Sequence, residues 1–158
     1  MKKKIKLLVL DVDGTLTDGK IYIGPEGEAV KAFDVKDGYA LAVLLPKMGI
    51  EPLVITGRKS EIVGKRCLEL GICRVFQGVA DKKKVLDDIL LELGVGYENV
   101  ACMGDDIPDL ELMKEAAVCG CPGDAVDAVK KECQFISGKK GGCGAVREFV
   151  EWIRERER

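Results

Sequence analysis

The sequence predicts an α/β fold with a mainly parallel, doubly wound sheet, and three observations predict it. Strand-like and helix-like stretches alternate along nearly the whole chain, the pattern of a parallel sheet covered by helices. Glycines stand where helical runs stop, at Gly49, Gly71 and Gly94, as left-handed C-caps require. Polar clusters follow the apolar strand-like runs, on the edge where open α/β sheets hold ligands. A chain of 158 residues and 17.2 kDa is most simply one domain, here residues 1–158, and is long enough for a substantial core.

The elements follow in order. Residues 5–10 read as a first strand, apolar from Leu7 to Leu10, and Gly38–Met48 carries apolar residues at helical spacing. Glu51–Ile55 is a second strand and Ser60–Leu70 a helix. Cys73–Phe76 is a short third strand, Lys82–Leu93 a helix, Val100–Met103 a fourth strand and Leu110–Ala116 a helix. Val118–Cys119 is a brief fifth strand, Asp124–Lys131 a helix, Gln134–Ile136 an extended piece and Ala145–Arg156 a terminal helix. Residues 20–33 break the alternation: two β-rich arms flank Gly24-Pro25-Glu26-Gly27, which reads as a hairpin flap inserted after the first strand. It emerges directly after an acidic pair and should project over the same sheet edge.

Composition narrows the function. A net charge of −2 offers no broad basic field for nucleic acid, and Lys2-Lys3-Lys4 reads as a solvated strand entrance. No apolar run approaches the length of a membrane span, and Asp11 and Asp13 interrupt any signal-peptide-like stretch. The seven cysteines form no C-x-x-C pair, and Cys119-Gly120-Cys121 is a poor zinc site in a chain without histidine. Reduced thiols in a cytoplasmic protein are expected.

Chemistry concentrates at four places. The first strand ends in Asp11-Val12-Asp13-Gly14-Thr15, two carboxylates one residue apart on backbone about to turn. The second ends in Thr56-Gly57-Arg58, where a hydroxyl, backbone N–H groups and a planar cation make an anion cradle. The third is followed by Lys82 at a helix start, where the helix dipole disfavours a cation and a bound anion would explain one; Lys83 and Lys84 are its neighbours. The fourth is followed by Gly104-Asp105-Asp106-Ile107-Pro108-Asp109, in which Asp106 can serve as an N-cap before Pro108. So many acids on one edge need a cation, and oxygen ligands select Mg2+ shared with a substrate phosphate. One carboxylate can then attack phosphorus while the second handles the leaving group's proton.

This ordered set resembles the haloacid dehalogenase-like phosphohydrolase superfamily, whose four motifs match along almost the whole chain. The resemblance implies that Asp11 is nucleophile and metal ligand, and that Asp13 is acid/base and ligates through its carbonyl. It further implies that Thr56 binds the phosphoryl group with Gly57 and Thr15, and that Lys82 offsets its charge. Asp105 becomes the side-chain Mg2+ ligand, with Asp106 and Asp109 behind it. The chain leaves room for the hairpin but for no cap domain, so the expected fold is a capless, Rossmann-like one.

A narrower resemblance rests on Asp18-Gly19, Lys31-Ala32-Phe33, Lys36-Asp37-Gly38-Tyr39, Ile55-Thr56-Gly57-Arg58-Lys59, Arg66-Cys67, Leu70-Gly71-Ile72, Gln77-Gly78 and the tail Gly141–Glu148. These are similar to the 3-deoxy-D-manno-octulosonate 8-phosphate phosphatases, enzymes of lipopolysaccharide biosynthesis. That implies a phosphorylated sugar-acid substrate bound by Arg58 and Arg66, and a homotetramer in which a neighbour's hairpin helps close the pocket. A sister group acting on sialic-acid-type (nonulosonate) 9-phosphates carries Glu in place of Arg58, which favours the eight-carbon substrate. Cys143 stands where the subfamily has Arg, and Pro108 sits inside the acidic motif. The tail, from about residue 138, reads either as a flexible linker or as a contact with substrate. A phospho-receiver domain is a remote alternative, because there the phosphorylated Asp follows a middle strand. An idle regulatory subunit would have lost one of Asp11, Asp13 or Lys82, and all are present.

Overall fold

The structure, a computed structural model, describes residues 4–157, so Lys2 and Lys3 of the expected strand entrance lie outside the described residues. Eight strands run in chain order: β1 Leu7–Leu10, β2 Tyr22–Gly24, β3 Gly27–Val30, β4 Glu51–Ile55, β5 Arg74–Phe76, β6 Val100–Met103, β7 Val118–Cys121 and β8 Phe135–Ile136. The helices are α1 Val35–Tyr39, α2 Leu45–Met48, α3 Glu61–Glu69, α4 Lys82–Leu93, α5 Leu110–Glu115, α6 Asp127–Glu132 and α7 Ala145–Arg156. A π turn, Ala40–Leu44, joins α1 to α2.

Six strands form one parallel sheet in the order β5-β4-β1-β6-β7-β8, and β2 and β3 form the separate antiparallel hairpin. The chain starts at the centre, winds outward through β4 and β5, then returns to the other side of β1 for β6, β7 and β8. The winding therefore reverses beside β1, and the crevice at the carboxyl ends of β1, β4 and β6 is where such sheets bind ligands. No cap domain is present among the described residues, and none of their helices is long and apolar enough to cross a membrane.

Burial follows the strand period of two. Leu8 and Leu10 of β1 enter one core layer with Leu41, Leu45, Val146 and Phe149, while Leu7 and Val9 enter the other with Leu86, Leu90 and Met113. A sheet covered on both faces needs such continuous apolar strands, and all four β1 residues are buried.

The first helical stretch begins three residues earlier than its apolar spacing suggests. Asp34 caps it, accepting the Lys36 N–H at 2.6 Å. Pro46 has no N–H to return to the preceding turn, and just before it the ladder widens so that the Leu45 N–H reaches Ala40. β7 runs to Cys121 rather than stopping at Cys119, pairing with β8 at Gly120↔Phe135 and Cys121↔Ile136; Gly120 also admits the Phe149 ring, from which a Cβ there would sit 2.8 Å. α6 starts at Asp127 rather than Asp124, whose carboxylate instead accepts the Gly141 N–H at 2.9 Å.

Candidate active site

The residues at the carboxyl edge separate into two clusters, one on each side of the chain leaving β1. On one side, Lys82 opens α4 and its Nζ lies 2.7 Å from Asp11 Oδ1 and 2.7 Å from Asp109 Oδ1. Two carboxylates thus supply the counter-charge expected of a bound anion. Lys83 and Lys84 turn outward to Asp87 and Asp88 on the helix surface, so of these three lysines it is Lys82 that reaches the acids.

Asp109 is almost wholly enclosed, with 4% of its side chain exposed. Its second oxygen accepts the N–H groups of Asp105 and Asp106 at 3.1 and 3.3 Å, which folds the acidic loop around it. The Asp106 side chain is exposed and caps the short 3-10 turn Ile107–Asp109, accepting the Ile107 N–H at 2.7 Å. Asp105 accepts from the Thr15 hydroxyl at 3.3 Å, and the Val126 N–H holds its carbonyl at 3.0 Å.

The first and fourth motifs meet at Gly14. With φ at +93°, it is left-handed, and a Cβ there would lie 2.0 Å from Asp105 Oδ2. Only glycine lets the Asp105 carboxylate lie against the β1 loop. Carboxylate oxygens of Asp11, Asp105 and Asp109 fall within 4.8 Å of one another.

Three acids face one lysine, and the imbalance shows in their proton affinities. Burial, then the charges of Asp11 and Asp109, push the Asp105 carboxyl up to about 8. Asp11 is raised by burial and by Asp109, and Lys82 offsets this only in part. Burial works to discharge Lys82, but Asp11 and Asp109 outweigh it and hold its pKa above the ordinary lysine value. Both oxygens of Asp109 are engaged, so Asp11 and Asp105 are the carboxylates able to turn toward a cation. A hard divalent ion with oxygen ligands fits that donor set and its excess negative charge.

Asp13 belongs to the second cluster. Its carboxylate turns away from Lys82 and forms a short ion pair with Lys31, just past β3, while Arg58 Nε stands 4.0 Å from its other oxygen. Lys31 also pairs with Glu28 at 2.8 Å, and the Ser60 hydroxyl donates to Glu28. The hairpin is thereby fastened to its own chain's site. Lys31 belongs to one of the strings that carry the narrower resemblance, but nothing in the sequence pairs it or Glu28 with Asp13; only the fold brings them there.

Thr56 is buried at the end of β4, and the pairing Leu10↔Val54 sets it level with the chain leaving β1. Gly57 follows it at the surface, and Arg58 is half exposed. Arg66 is not brought to these acids. It lies on α3 over the Phe33 ring at 5.8 Å, bonds Glu69 at 2.8 Å, and leaves its buried Nε without a hydrogen-bond partner. The tail is neither loose nor extended: a Cβ on Gly141 would lie 1.9 Å from the Gly14 carbonyl, and the Gly142 N–H donates to Thr15. It braces the loop that carries Asp11 and Asp13.

A family model for haloacid dehalogenase-like hydrolases matches residues 45–149. The chain belongs to that family. Within it, the chain is 42% identical to the 3-deoxy-D-manno-octulosonate 8-phosphate phosphatase of Escherichia coli K12, over 96% of this chain and 80% of that protein. A solved structure of the Moraxella catarrhalis 3-deoxy-D-manno-octulosonate 8-phosphate phosphatase, in complex with a magnesium ion, a phosphate ion and a KDO molecule, superposes with a TM-score of 0.91. Its identity is 40%, covering 96% of this chain and 86% of that one. The cobalt-bound Haemophilus influenzae phosphatase gives 0.91 at 35% identity, covering 96% and 88%.

Proposed function

We propose that this chain is a Mg2+-dependent phosphomonoesterase that hydrolyses 3-deoxy-D-manno-octulosonate 8-phosphate to the free sugar acid and phosphate. The observation that carries the reading is Asp11, Asp105 and Asp109 gathered around Lys82 at the point where the sheet winding reverses. The similarity to phosphatases of that substrate over nearly the whole chain supports it.

Asp11 is the nucleophile: its carboxylate bonds to phosphorus as the ester oxygen leaves, giving an aspartyl-phosphate. Lys82 fixes Asp11 Oδ1 and keeps the carboxylate oriented. Asp13 protonates the departing alkoxide, then takes a proton from the water that releases phosphate and restores Asp11. Asp11 and Asp105, with the Asp13 carbonyl, would hold Mg2+, which supplies charge stabilisation at the phosphoryl oxygens. Thr56, Gly57 and Thr15 contact the phosphoryl group. Arg58, beside Asp13, receives the sugar-acid portion, and Arg66 extends that surface beneath the hairpin.

The working form is a cytoplasmic homotetramer. The exposed apolar side chains Ile23, Val30, Val35 and Tyr39 on and beside the hairpin support contact with a second copy. The test is a panel of phosphosugars assayed with Mg2+ and with chelator. The eight-carbon sugar-acid phosphate should be turned over best, and chelation should abolish turnover. Preference for a nonulosonate 9-phosphate would overturn the substrate, and metal-independent hydrolysis would overturn the chemistry.

A further inference from the structure

Asp11 and Asp13 are two residues apart yet enter different electrostatic surroundings, and one residue makes the difference on the Asp13 side. Lys31 is 1% exposed at its side chain, and its Nζ lies between the carboxylates of Asp13 and Glu28. A buried ammonium is retained only where such partners compensate its lost hydration. Glu28 is itself fixed, by the Ser60 hydroxyl at the N-cap of α3 and by Lys31, with Arg58 Nη2 at 4.0 Å. A chain of contacts therefore runs from α3 through Ser60, Glu28 and Lys31 to Asp13. Among the described residues, the ion-pair partners of the Asp13 carboxylate are Lys31 and Arg58. Arg58 is half exposed and at the limit of contact, so Lys31 is the one that sets the side chain's position.

We infer that Lys31 is the positioning residue for Asp13: the hairpin, through Lys31 and Glu28, aims the acid/base carboxylate at the leaving-group oxygen. This rests on the phosphatase reading above and goes beyond it, because it gives the flap a part in proton transfer as well as in closure. A general acid serves only from the correct place, and a displacement of about 1 Å can cost on the order of 100-fold. Lys31 does not touch the reacting atoms in this arrangement. Its loss should reproduce the signature of a misplaced acid, a penalty that grows with the basicity of the leaving group.

The experiment compares 3-deoxy-D-manno-octulosonate 8-phosphate, whose alkoxide needs a proton to leave, with p-nitrophenyl phosphate, whose phenolate does not. Lys31→Met should lower kcat/KM, which reports formation of the aspartyl-phosphate, by about 100-fold on the sugar phosphate and only several-fold on the aryl ester; hydrolysis of the intermediate, where Asp13 acts as base, is common to both esters and enters kcat alone. Lys31→Arg should recover most of the sugar-phosphate loss, since it restores a cation between the two carboxylates. Glu28→Gln, which leaves Lys31 in place but loosens its anchor, should give the same leaving-group dependence to a smaller degree. It also serves as the readout if circular dichroism shows Lys31→Met unfolded. Equal loss of kcat/KM on both substrates, or a KM rise with kcat preserved, would overturn the inference in favour of a purely structural or a substrate-binding role. Failure of the phosphatase reading is separately visible: the unmodified protein would then hydrolyse neither ester, or Asp11→Asn would hydrolyse both as fast.

Discussion

Lys82→Met removes the cation that bridges Asp11 and Asp109 beside Asp105 while keeping an aliphatic side chain at the start of α4. Each 2.7 Å contact to Asp11 and Asp109 is worth about 6 kcal/mol by Coulomb's law at an effective dielectric of about 20. Most of that is spent on taking the three charges out of water, and breaking a buried pair typically costs about 3–5 kcal/mol net. For a chain of this size the metal-free protein should lose roughly 10 °C in Tm. The deficit should shrink as pH falls, because Asp11 and Asp105 already bind protons more readily than ordinary carboxylates and would do so more readily still without the lysine. Mg2+ should also reduce it, by supplying the missing positive charge. The assay is urea unfolding of both proteins at pH 7.5 and 5.5, with and without Mg2+. A loss below about 1 kcal/mol at pH 7.5, or one equal at both pH values, would refute the claim that Lys82 neutralises this cluster.

Two further outcomes are expected. Arg58→Ala should raise KM for the sugar-acid phosphate by about tenfold, the scale of a lost charged hydrogen bond, and should affect p-nitrophenyl phosphate less; steady-state kinetics checks this, and an unchanged KM would count against the assigned substrate. Asp37 is buried beneath the start of α7, where it accepts the N–H groups of Arg147 and Gly144 at 2.8 and 3.3 Å. Burial raises it to about 6; Asp34 adds to the rise, while those N–H groups and Lys139 oppose it. With the folded value above the unfolded 3.8, its contribution to stability is fully present below pH 3.8 and is lost as pH rises through about 6. Unfolding free energies from pH 4 to 7 should therefore show the unmodified protein losing up to about 3 kcal/mol relative to Asp37→Asn, and parallel curves would disprove the shift.

Much of this protein was legible in order along its chain. An apolar strand ending in Asp11 and Asp13, a hydroxyl after the second strand, a lysine at a helix start and acids after the fourth strand are local patterns. Each depends on what the backbone does within a few residues, and the sheet brings strand ends to one edge whatever their separation. Helix stops at Gly49 and Gly94 are local in the same way, since left-handed backbone selects glycine. The π turn before Pro46 and the extension of β7 past Gly120 were not legible. They answer to a missing N–H within a helix and to pairing with β8, which lies further along the chain.

The sequence by itself determined the chemistry of the edge: carboxylates, a hydroxyl, an arginine and a lysine at strand ends, with too many acids to stand without a cation. Only the tertiary structure decided how those groups divide. It gave Asp11 and Asp109 to Lys82, gave Asp13 to Lys31 of the hairpin, left Arg66 on Phe33, and laid Gly141 against Gly14. The reason is physical. A residue type and its place on a strand are fixed within a few positions, whereas the partner of a buried charge is whichever opposite charge folding carries into reach.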